Sequence, residues 1–144
     1  MSRLEDIEAI RVLKALYAER VDANHNNHSH ATAIAATALF TDDAILDLGP
    51  FGRYEGRAQI LNAFDTIFPA GTAWSHHYIV NPVIEITSSS TATGRWYFLL
   101  FTQPKTTPPS AALTVHGSYA EKYQQVGGDW KFKEVIGSLT APTT

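Results

Sequence analysis

The chain has no cysteine among its 144 residues, and this excludes disulfide bonds, thiolate nucleophiles and cysteine-bound zinc or iron–sulfur clusters. An excess of charge is also missing, since 14 acidic and 11 basic residues give a net charge of −3. Because the charged residues do not form blocks of one sign, the sequence argues against a nucleic-acid or membrane-surface partner. No hydrophobic run is long enough to span a membrane, and the N-terminus lacks the apolar stretch of a signal peptide. We therefore expect a cytoplasmic protein without either partner.

Hydrophobic residues make up 44% of the chain, which is enough to build one core in a chain of this size. There are no internal repeats or low-complexity segments that would indicate a second unit. The sequence thus predicts a single domain over residues 1–144.

The first half of the chain has the hydrophobic spacing of helices. Between residue 4 and about residue 22, apolar side chains recur at helical intervals, at Ile7, Ile10, Leu13, Tyr17 and Val21. Ser2, with Glu5 three residues later, is placed to cap this helix. The polar stretch 23–30 predicts a break, and residues 31–40 and 57–68 predict two further helices.

The second half has the pattern of β-strands. Candidate strands cover residues 74–86, 92–102, 112–126 and 130–136, after an earlier strand around 44–48. Helices followed by an antiparallel sheet predict an α+β domain with the helices on one face. The segment "GRWYFLLF" is apolar on both alternating faces, which is typical of a strand covered on both sides. We therefore expect a homodimer through the outer sheet face.

Two adjacent histidines, His76 and His77, lie in the first of these four strands. Because strand side chains alternate between faces, one imidazole points into the fold and the other points away. His77 shares its face with Ser75 and Asn81, whereas His76 shares the opposite face with Tyr78. Alternation alone does not decide which face is inside.

Four segments follow the two N-terminal helices in a distinctive order: "LFTDDAILDLGPFGRYEGRAQI", "HHYIVNPVIEI", "TATGRWYFLLF" and "HGSYAEKYQQVGGDWKF". In this order the chain resembles the SnoaL-like family of the nuclear-transport-factor-two-like superfamily. The resemblance implies a curved antiparallel sheet that forms a cone-shaped pocket, closed by about three N-terminal helices. Relatives include scytalone dehydratase, bile-acid dehydratase, a hexachlorocyclohexane dehydrochlorinase and polyketide cyclases. Because the superfamily also contains non-enzymatic modules, this fold does not by itself imply a function.

The resemblance also implies a catalytic trio. The dehydratases and the dehydrochlorinase carry a tyrosine in the first helix, an aspartate just past it, and a histidine four residues before the position occupied here by Asn81. The matching residues are Tyr17, Asp22 and His77, so the resemblance selects His77 as the inward imidazole. His77 would act as the base, Asp22 would orient it, and Tyr17 would polarise a carbonyl or leaving group. Such an elimination, hydration or isomerisation requires no cofactor and no metal.

Each of the three residues also has a structural alternative. A buried His77 can bond a backbone carbonyl, Asp22 can be solvated at a helix end, and Tyr17 can pack in the core. Six further residues are candidate substrate-binding residues, with core or turn roles as their alternatives: Tyr54, Phe64, Asn81, Trp96, Phe98 and His116. His116 would face the pocket if the adjacent glycine permits a bulge.

Polar clusters elsewhere have simpler interpretations. His25, His28 and His30 lie within six residues, but their polar surroundings offer no apolar shell and no supporting carboxylate, so a solvated loop is favoured over a metal site. Asp42 and Asp43 are typical of a turn before a strand. Neither cluster is expected to belong to the site.

The sequence departs from two relatives. The position that resembles the catalytic aspartate of ketosteroid isomerase is Leu48, and Asp47 faces the other way. The Asp-Arg-Asp set of limonene epoxide hydrolase is not found.

The sequence thus predicts a cofactor-independent lyase or cyclase-like enzyme that acts on a hydrophobic, cyclic small molecule. Two alternatives stay open: a non-catalytic protein that binds a small molecule, and an assembly module similar to the β-subunit of ring-hydroxylating dioxygenases.

Overall fold

Capping and an apolar stripe define α1 (Arg3–Asn26) in the structure, a computed structural model that describes residues 2–140. The Ser2 Oγ accepts a hydrogen bond from the Glu5 amide at 3.2 Å, and the Glu5 carboxylate accepts one from the Ser2 amide at 2.6 Å. This is the capping box that the sequence predicts. The buried stripe of α1 includes Ile10, Leu13, Tyr17 and Val21.

Helix α1 continues about one turn past its predicted end, and that turn contains His25. Asn24 is buried and donates to the Phe64 carbonyl at 2.8 Å. Asn26 donates to the Ser75 carbonyl at 2.9 Å and accepts from the Ser75 amide at 2.8 Å. These long-range hydrogen bonds outweigh the weak helix propensity of asparagine. The predicted break is therefore corrected to residues 27–29.

The other helical segments are all shorter than α1. Helix α2 (His30–Thr37) precedes the first strand, and a 3-10 turn (Gly49–Phe51) follows that strand. Helix α3 (Arg57–Asn62) runs through a π-helical turn (Ala63–Ile67) into α4 (Phe68–Gly71), so the helix predicted for residues 57–68 is confirmed and slightly extended. Within residues 2–140, none of the helices combines the length and apolar character needed to cross a membrane.

Six strands form one sheet: β1 (Phe40–Asp47), β2 (Arg53–Glu55), β3 (Thr72–Ile86), β4 (Thr91–Pro104), β5 (Leu113–Val126) and β6 (Asp129–Leu139). Their order is β2-β1-β6-β5-β4-β3. The α+β class with a curved sheet is confirmed, although β1 and β6 pair in parallel and make the sheet mixed. No tight turn joins these two strands, so their relative direction was not fixed by a hairpin.

The faces of the sheet differ in what covers them. His77 pairs with Leu100, which pairs with Val115, and these side chains form one row on the face toward α1. The opposite face leaves large apolar side chains in contact with solvent. Tyr97 is 61% exposed there and Tyr78 is 50% exposed. The face toward α1 therefore holds both the core and the site.

Candidate active site

A cavity of about 120 Å³ lies between α1, the α4 region and the concave face of the sheet. Most of its wall is apolar, including Leu48, Phe64, Phe68, Phe98, Leu100 and Val115. Its polar wall residues include Tyr17, His25, Ser75, His77 and Tyr119. Because benzene fills a dry apolar cavity of about 150 Å³, the space corresponds to roughly one six-membered ring.

His77 and Asp22 are joined by two hydrogen bonds at this wall. The imidazole Nδ1 lies 2.6 Å from Asp22 Oδ1, and the His77 amide donates to Asp22 Oδ2 at 2.9 Å. The two side chains are 7% and 15% exposed. Since a carboxylate can only accept, Nδ1 carries the ring proton, and Nε2 is the nitrogen left for a ligand. The pair that the resemblance implies is therefore formed.

Asp22 also accepts a hydrogen bond from the Ser75 hydroxyl, at 2.8 Å from its Oδ1. Burial works to raise the pKa of Asp22, but the hydrogen bonds and charge of His77, together with the Ser75 bond, outweigh it, and the pKa lies below its ordinary value. The carboxylate thus stays ionised and keeps accepting. Three donors converge on this one carboxylate, which fixes the orientation of the His77 ring.

A second imidazole, His25, reaches the cavity from the last turn of α1. Its Nδ1 lies 2.7 Å from the Ser75 hydroxyl, and its ring centroid lies 6.5 Å from that of His77. Burial, with a smaller contribution from the charge of His77, lowers the pKa of His25 to about 4. His25 is therefore neutral near pH 7. The expectation of a solvated loop is wrong for this residue.

Two buried tyrosines, Tyr17 and Tyr119, lie at the base of the cavity with ring centroids 6.0 Å apart. Burial raises the pKa of both phenols far above the ordinary value, so both hydroxyls stay protonated donors. The Lys14 ammonium lies 4.0 Å from the Tyr17 ring centroid and 3.6 Å from that of Tyr119. It is buried and pairs with Glu121 at 2.5 Å. This ion pair holds the cation against both rings and fixes their positions.

Comparison with known proteins identifies the family. Residues 2–136 match the model of the SnoaL-like domain. The chain belongs to this family. The membership that the sequence motifs imply is therefore confirmed. No curated protein matches the chain by sequence.

Solved structures similar to this SnoaL-like domain include a candidate scytalone dehydratase from Novosphingobium aromaticivorans, with a TM-score of 0.82 and 22% identity over 96% of this chain and 86% of that one. A candidate aromatic ring hydroxylase from the same species has a TM-score of 0.81 and 27% identity over 99% and 94%. A hexachlorocyclohexane dehydrochlorinase from Novosphingobium barchaimii has a TM-score of 0.79 and 21% identity over 96% and 89%. The dehydratase and dehydrochlorinase structures are only 22% and 21% identical to this chain, so the comparison with them establishes a shared fold.

Of the six residues proposed to bind substrate, Phe64 and Phe98 line the cavity of this SnoaL-like domain. Phe98 has room for its ring because its partner across the sheet is Gly117. A Cβ atom at Gly117 would lie 2.0 Å from the Ser138 carbonyl oxygen and 3.0 Å from the Phe98 ring. A glycine in this strand thus permits close packing behind the cavity wall.

Trp96 and Tyr54 lie outside the cavity wall. The Trp96 indole donates to the Tyr123 hydroxyl at 2.9 Å, and that hydroxyl donates to Glu121 at 2.7 Å, so Trp96 belongs to the polar network behind the tyrosines. The Tyr54 hydroxyl donates to the Phe51 carbonyl at 2.8 Å. Neither side chain lines the cavity, because each is engaged elsewhere, and the proposed contact of these two residues with substrate stays a prediction.

Asn81 and His116 also lie outside the cavity wall. Asn81 is exposed at a register shift between Val80 and Val83, where its φ of 57° belongs to the left-handed region that asparagine tolerates. His116 is exposed on the outer face, because the β4–β5 pairing runs without a bulge past Gly117. The shift at Asn81 and the unbroken register at His116 both place these side chains away from the site.

The remaining polar residues have structural partners. His30 Nδ1 lies 2.9 Å from Asp65 Oδ2, and His28 Nδ1 lies 3.1 Å from the Asn24 side-chain oxygen. In the described part of the chain, no three His, Cys, Asp or Glu residues group so that they could hold a metal ion. Asp42 and Asp43 lie in β1, where they pair with Arg57 and Lys133, rather than in a turn.

The position that distinguishes this chain from ketosteroid isomerase is Leu48, which lines the cavity. Asp47 instead accepts from the Gly49 amide at 3.0 Å and lies 3.6 Å from the Arg53 guanidinium. The residue just after β1 therefore supplies an apolar side chain to the cavity, and the last residue of β1 directs its carboxylate to a turn.

The site residues that the sequence alone did not identify are His25, Ser75 and Tyr119. His25 follows Asp22 by three residues, which places both on one side of a helix once the helix is known to continue. Ser75 shares the strand face of His77, and Tyr119 shares that of Val115. The residue spacing indicates these three positions, but only once the end of α1 and the buried face of the sheet are known.

Proposed function

We propose that this protein is a cofactor-independent enzyme of the lyase type that removes a proton from a small, hydrophobic ring compound. The observation that carries this proposal is the His77–Asp22 pair at the wall of an apolar cavity, with Nδ1 held at 2.6 Å and Nε2 left for a ligand. Support also comes from the similar structures, which include a candidate dehydratase and a dehydrochlorinase.

In the proposed reaction, His77 Nε2 takes a proton from a ring carbon of the substrate. The electron pair of that C–H bond forms a double bond to the neighbouring carbon, from which halide or hydroxide leaves with its bonding pair. A departing hydroxide takes up the proton held by the imidazolium and is released as water, whereas after loss of halide the imidazolium gives its proton to solvent. The imidazolium that forms is stabilised by the Asp22 carboxylate on its other nitrogen. Tyr17, which stays protonated, donates a hydrogen bond to the carbonyl or leaving group as negative charge develops there.

The apolar wall makes these polar groups effective. A ligand that fills about 120 Å³ displaces water from the cavity, and hydrogen bonds in a water-poor space stabilise developing charge more than they do in solution. The fixed positions of the tyrosines and of the His77 ring mean that little reorganisation accompanies the reaction. A ring compound close in size to a substituted six-membered ring is therefore the proposed substrate.

The proposal is tested with a panel of hydroxylated and halogenated six-membered-ring compounds, monitored by mass spectrometry for loss of water or halide and for deuterium uptake in D₂O. His77→Ala is expected to abolish turnover of any compound that the wild type converts, while a cooperative melting transition shows that the variant is still folded. His76→Ala is the matched control, because the neighbouring imidazole is exposed on the other face. Turnover that survives in His77→Ala would reject His77 as the base, whereas compounds that bind and are never converted would support a binding protein instead.

The predicted homodimer stays a prediction. It is supported by the outer sheet face, where Tyr78, Tyr97 and Phe101 are partly exposed on neighbouring strands. Contiguous apolar patches on a protein surface often mark interaction sites, whereas single exposed apolar side chains do not.

A further inference from the structure

His25 is an imidazole in the cavity wall that the proposed elimination does not use. It lies one turn beyond Asp22 on α1, and its ring packs edge-on against Phe68 with centroids 6.1 Å apart. His77 also lines the cavity, and its ring centroid is 6.5 Å from that of His25. The two imidazoles therefore border the same cavity from different elements, α1 and β3.

The hydrogen bonds of Ser75 determine the tautomer of His25. A serine hydroxyl has one hydrogen, and this one is donated to Asp22 Oδ1 at 2.8 Å, because an ionised carboxylate has no proton to offer. The contact of 2.7 Å between Ser75 Oγ and His25 Nδ1 must then use the hydrogen on Nδ1. Burial keeps the ring neutral near pH 7. His25 Nε2 therefore carries a lone pair.

That lone pair is not used within the protein. The Nε2 atom is buried, and it has no hydrogen-bond partner among residues 2–140. A buried acceptor left unpaired is destabilising, whereas one paired with a donor is not. His25 is part of the cavity wall, so a ligand that supplies an O–H or N–H group to this nitrogen gains a hydrogen bond that a ligand without a donor cannot make.

We propose that His25 is a substrate-binding residue whose Nε2 accepts a hydrogen bond from a hydroxyl or N–H group of the substrate. This rests on the proposed function in one respect, namely that the cavity is the substrate site. It narrows the substrate class to ring compounds that carry a hydrogen-bond donor. By the same reasoning, hydrocarbons and halogenated hydrocarbons without a donor bind less tightly than ring compounds of equal shape that carry one.

The test measures the affinities of two probes of equal shape, phenol and toluene, by NMR titration of the folded protein. Phenol has a donor where toluene has a methyl group. His25→Asn is the main variant, since its side-chain amide can still donate to Ser75 but does not extend to the position of Nε2. His25→Phe, which keeps the ring volume, is the second variant, and His77→Ala reports whether the other imidazole is responsible. Melting temperatures verify that each variant is folded.

Wild type is expected to bind phenol on the order of tenfold more tightly than toluene, because only phenol forms a hydrogen bond with this buried acceptor. The preference is expected to vanish in His25→Asn and in His25→Phe and to remain in His77→Ala. Long-range ¹H–¹⁵N correlation spectra are expected to show the free His25 Nε2 without a proton, and a shift of its ¹⁵N signal on addition of phenol but not of toluene.

Equal affinities in the wild type, a lack of binding by both probes, or a preference that persists in the His25 variants would overturn the proposal. These affinities do not depend on turnover. An inactive compound panel would thus reject the elimination reaction while the phenol preference still decided the role of His25. Conversely, an active enzyme with no phenol preference would retain the proposed function and lose the His25 contact.

Discussion

Replacing Asp22 with asparagine is the most informative perturbation, because the geometry dictates how the new side chain must orient. Asp22 Oδ2 accepts from the His77 backbone amide, whereas Oδ1 faces His77 Nδ1 and the Ser75 hydroxyl. A backbone amide can only donate, so the single oxygen of asparagine has to occupy the Oδ2 position. Its NH₂ group then faces the imidazole.

The consequence is a change of tautomer. An NH₂ group that faces His77 Nδ1 requires this nitrogen to be the acceptor, so the ring proton moves to Nε2. The nitrogen that would take the substrate proton is then already protonated. In a serine protease the equivalent aspartate-to-asparagine substitution lowers kcat about 10⁴-fold through the wrong tautomer. We expect a loss of about 10³- to 10⁴-fold here, equivalent to about 4 to 5.5 kcal/mol at 1.36 kcal/mol per tenfold.

Two measurements examine this prediction. Long-range ¹H–¹⁵N correlation spectra report which nitrogen of His77 carries the proton, in the wild type and in Asp22→Asn, without any substrate. Steady-state rates on a compound from the panel give the loss in kcat. Ser75→Ala is the matched control, because it removes one donor to Asp22 and leaves the His77 bonds in place.

Refutation would be clear in either measurement. A wild-type His77 protonated on Nε2, or an Asp22→Asn variant that keeps the proton on Nδ1, would contradict the hydrogen-bond reasoning. A variant with the altered tautomer and a wild-type rate would show instead that His77 is not the base.

Further consequences concern packing, pH and assembly. Gly117→Ala is expected to lower the free energy of unfolding by about 3 kcal/mol, because the added methyl group collides with a backbone oxygen, whereas Gly71→Ala, with open space around it, is expected to be nearly neutral in denaturant titrations. The pKa of His25 is lowered from 6.5 to about 4, so His25 in the unfolded chain takes up a proton at a higher pH than it does in the folded protein. The free energy of unfolding should therefore decline by at most about 3 kcal/mol as the pH falls from 6.5 to 4, and His25→Asn should lack this slope. Tyr97→Lys is expected to convert a dimer to a monomer in light scattering, whereas Val12→Lys on α1 leaves it unchanged.

Each of these expectations has a contrary result. Similar unfolding midpoints for the two alanine variants would show that the strand relaxes around the methyl group. Parallel pH profiles for wild type and His25→Asn would show that His25 titrates normally in the folded protein. A monomeric wild type at high micromolar concentration would remove the proposed outer-face interface.

The prediction of the fold succeeded where local patterns and global structure agree. The helical stripe of Ile10, Leu13, Tyr17 and Val21 and the Ser2 cap lie within one segment, and the hairpin strands are joined by short turns, so nearby residues determine both. The parallel pairing of β1 with β6 joins distant parts of the chain. Neither segment contains a pattern that indicates which strand will be its neighbour or in which direction the two strands will run.

The site shows the same division. Strand alternation alone established that His76 and His77 lie on opposite faces, and family resemblance pointed to His77 and Asp22 as a pair. The contact of α1 with β3 determined that His77 is the inward one, since Asp22 can reach only that side of the edge strand. The same contact keeps residues 23–26 helical and brings His25 to the cavity.

The sequence by itself therefore determined the periodicities, the caps, the absence of thiol chemistry and the residues able to transfer a proton. The tertiary structure decided which helix end stays ordered, which face is enclosed, and that Asn81, Trp96 and His116 lie away from the cavity. The physical reason is that a periodicity depends on neighbours within a few residues, whereas burial and hydrogen-bond partners depend on contacts across more than fifty positions, such as the 55 that separate His77 from Asp22.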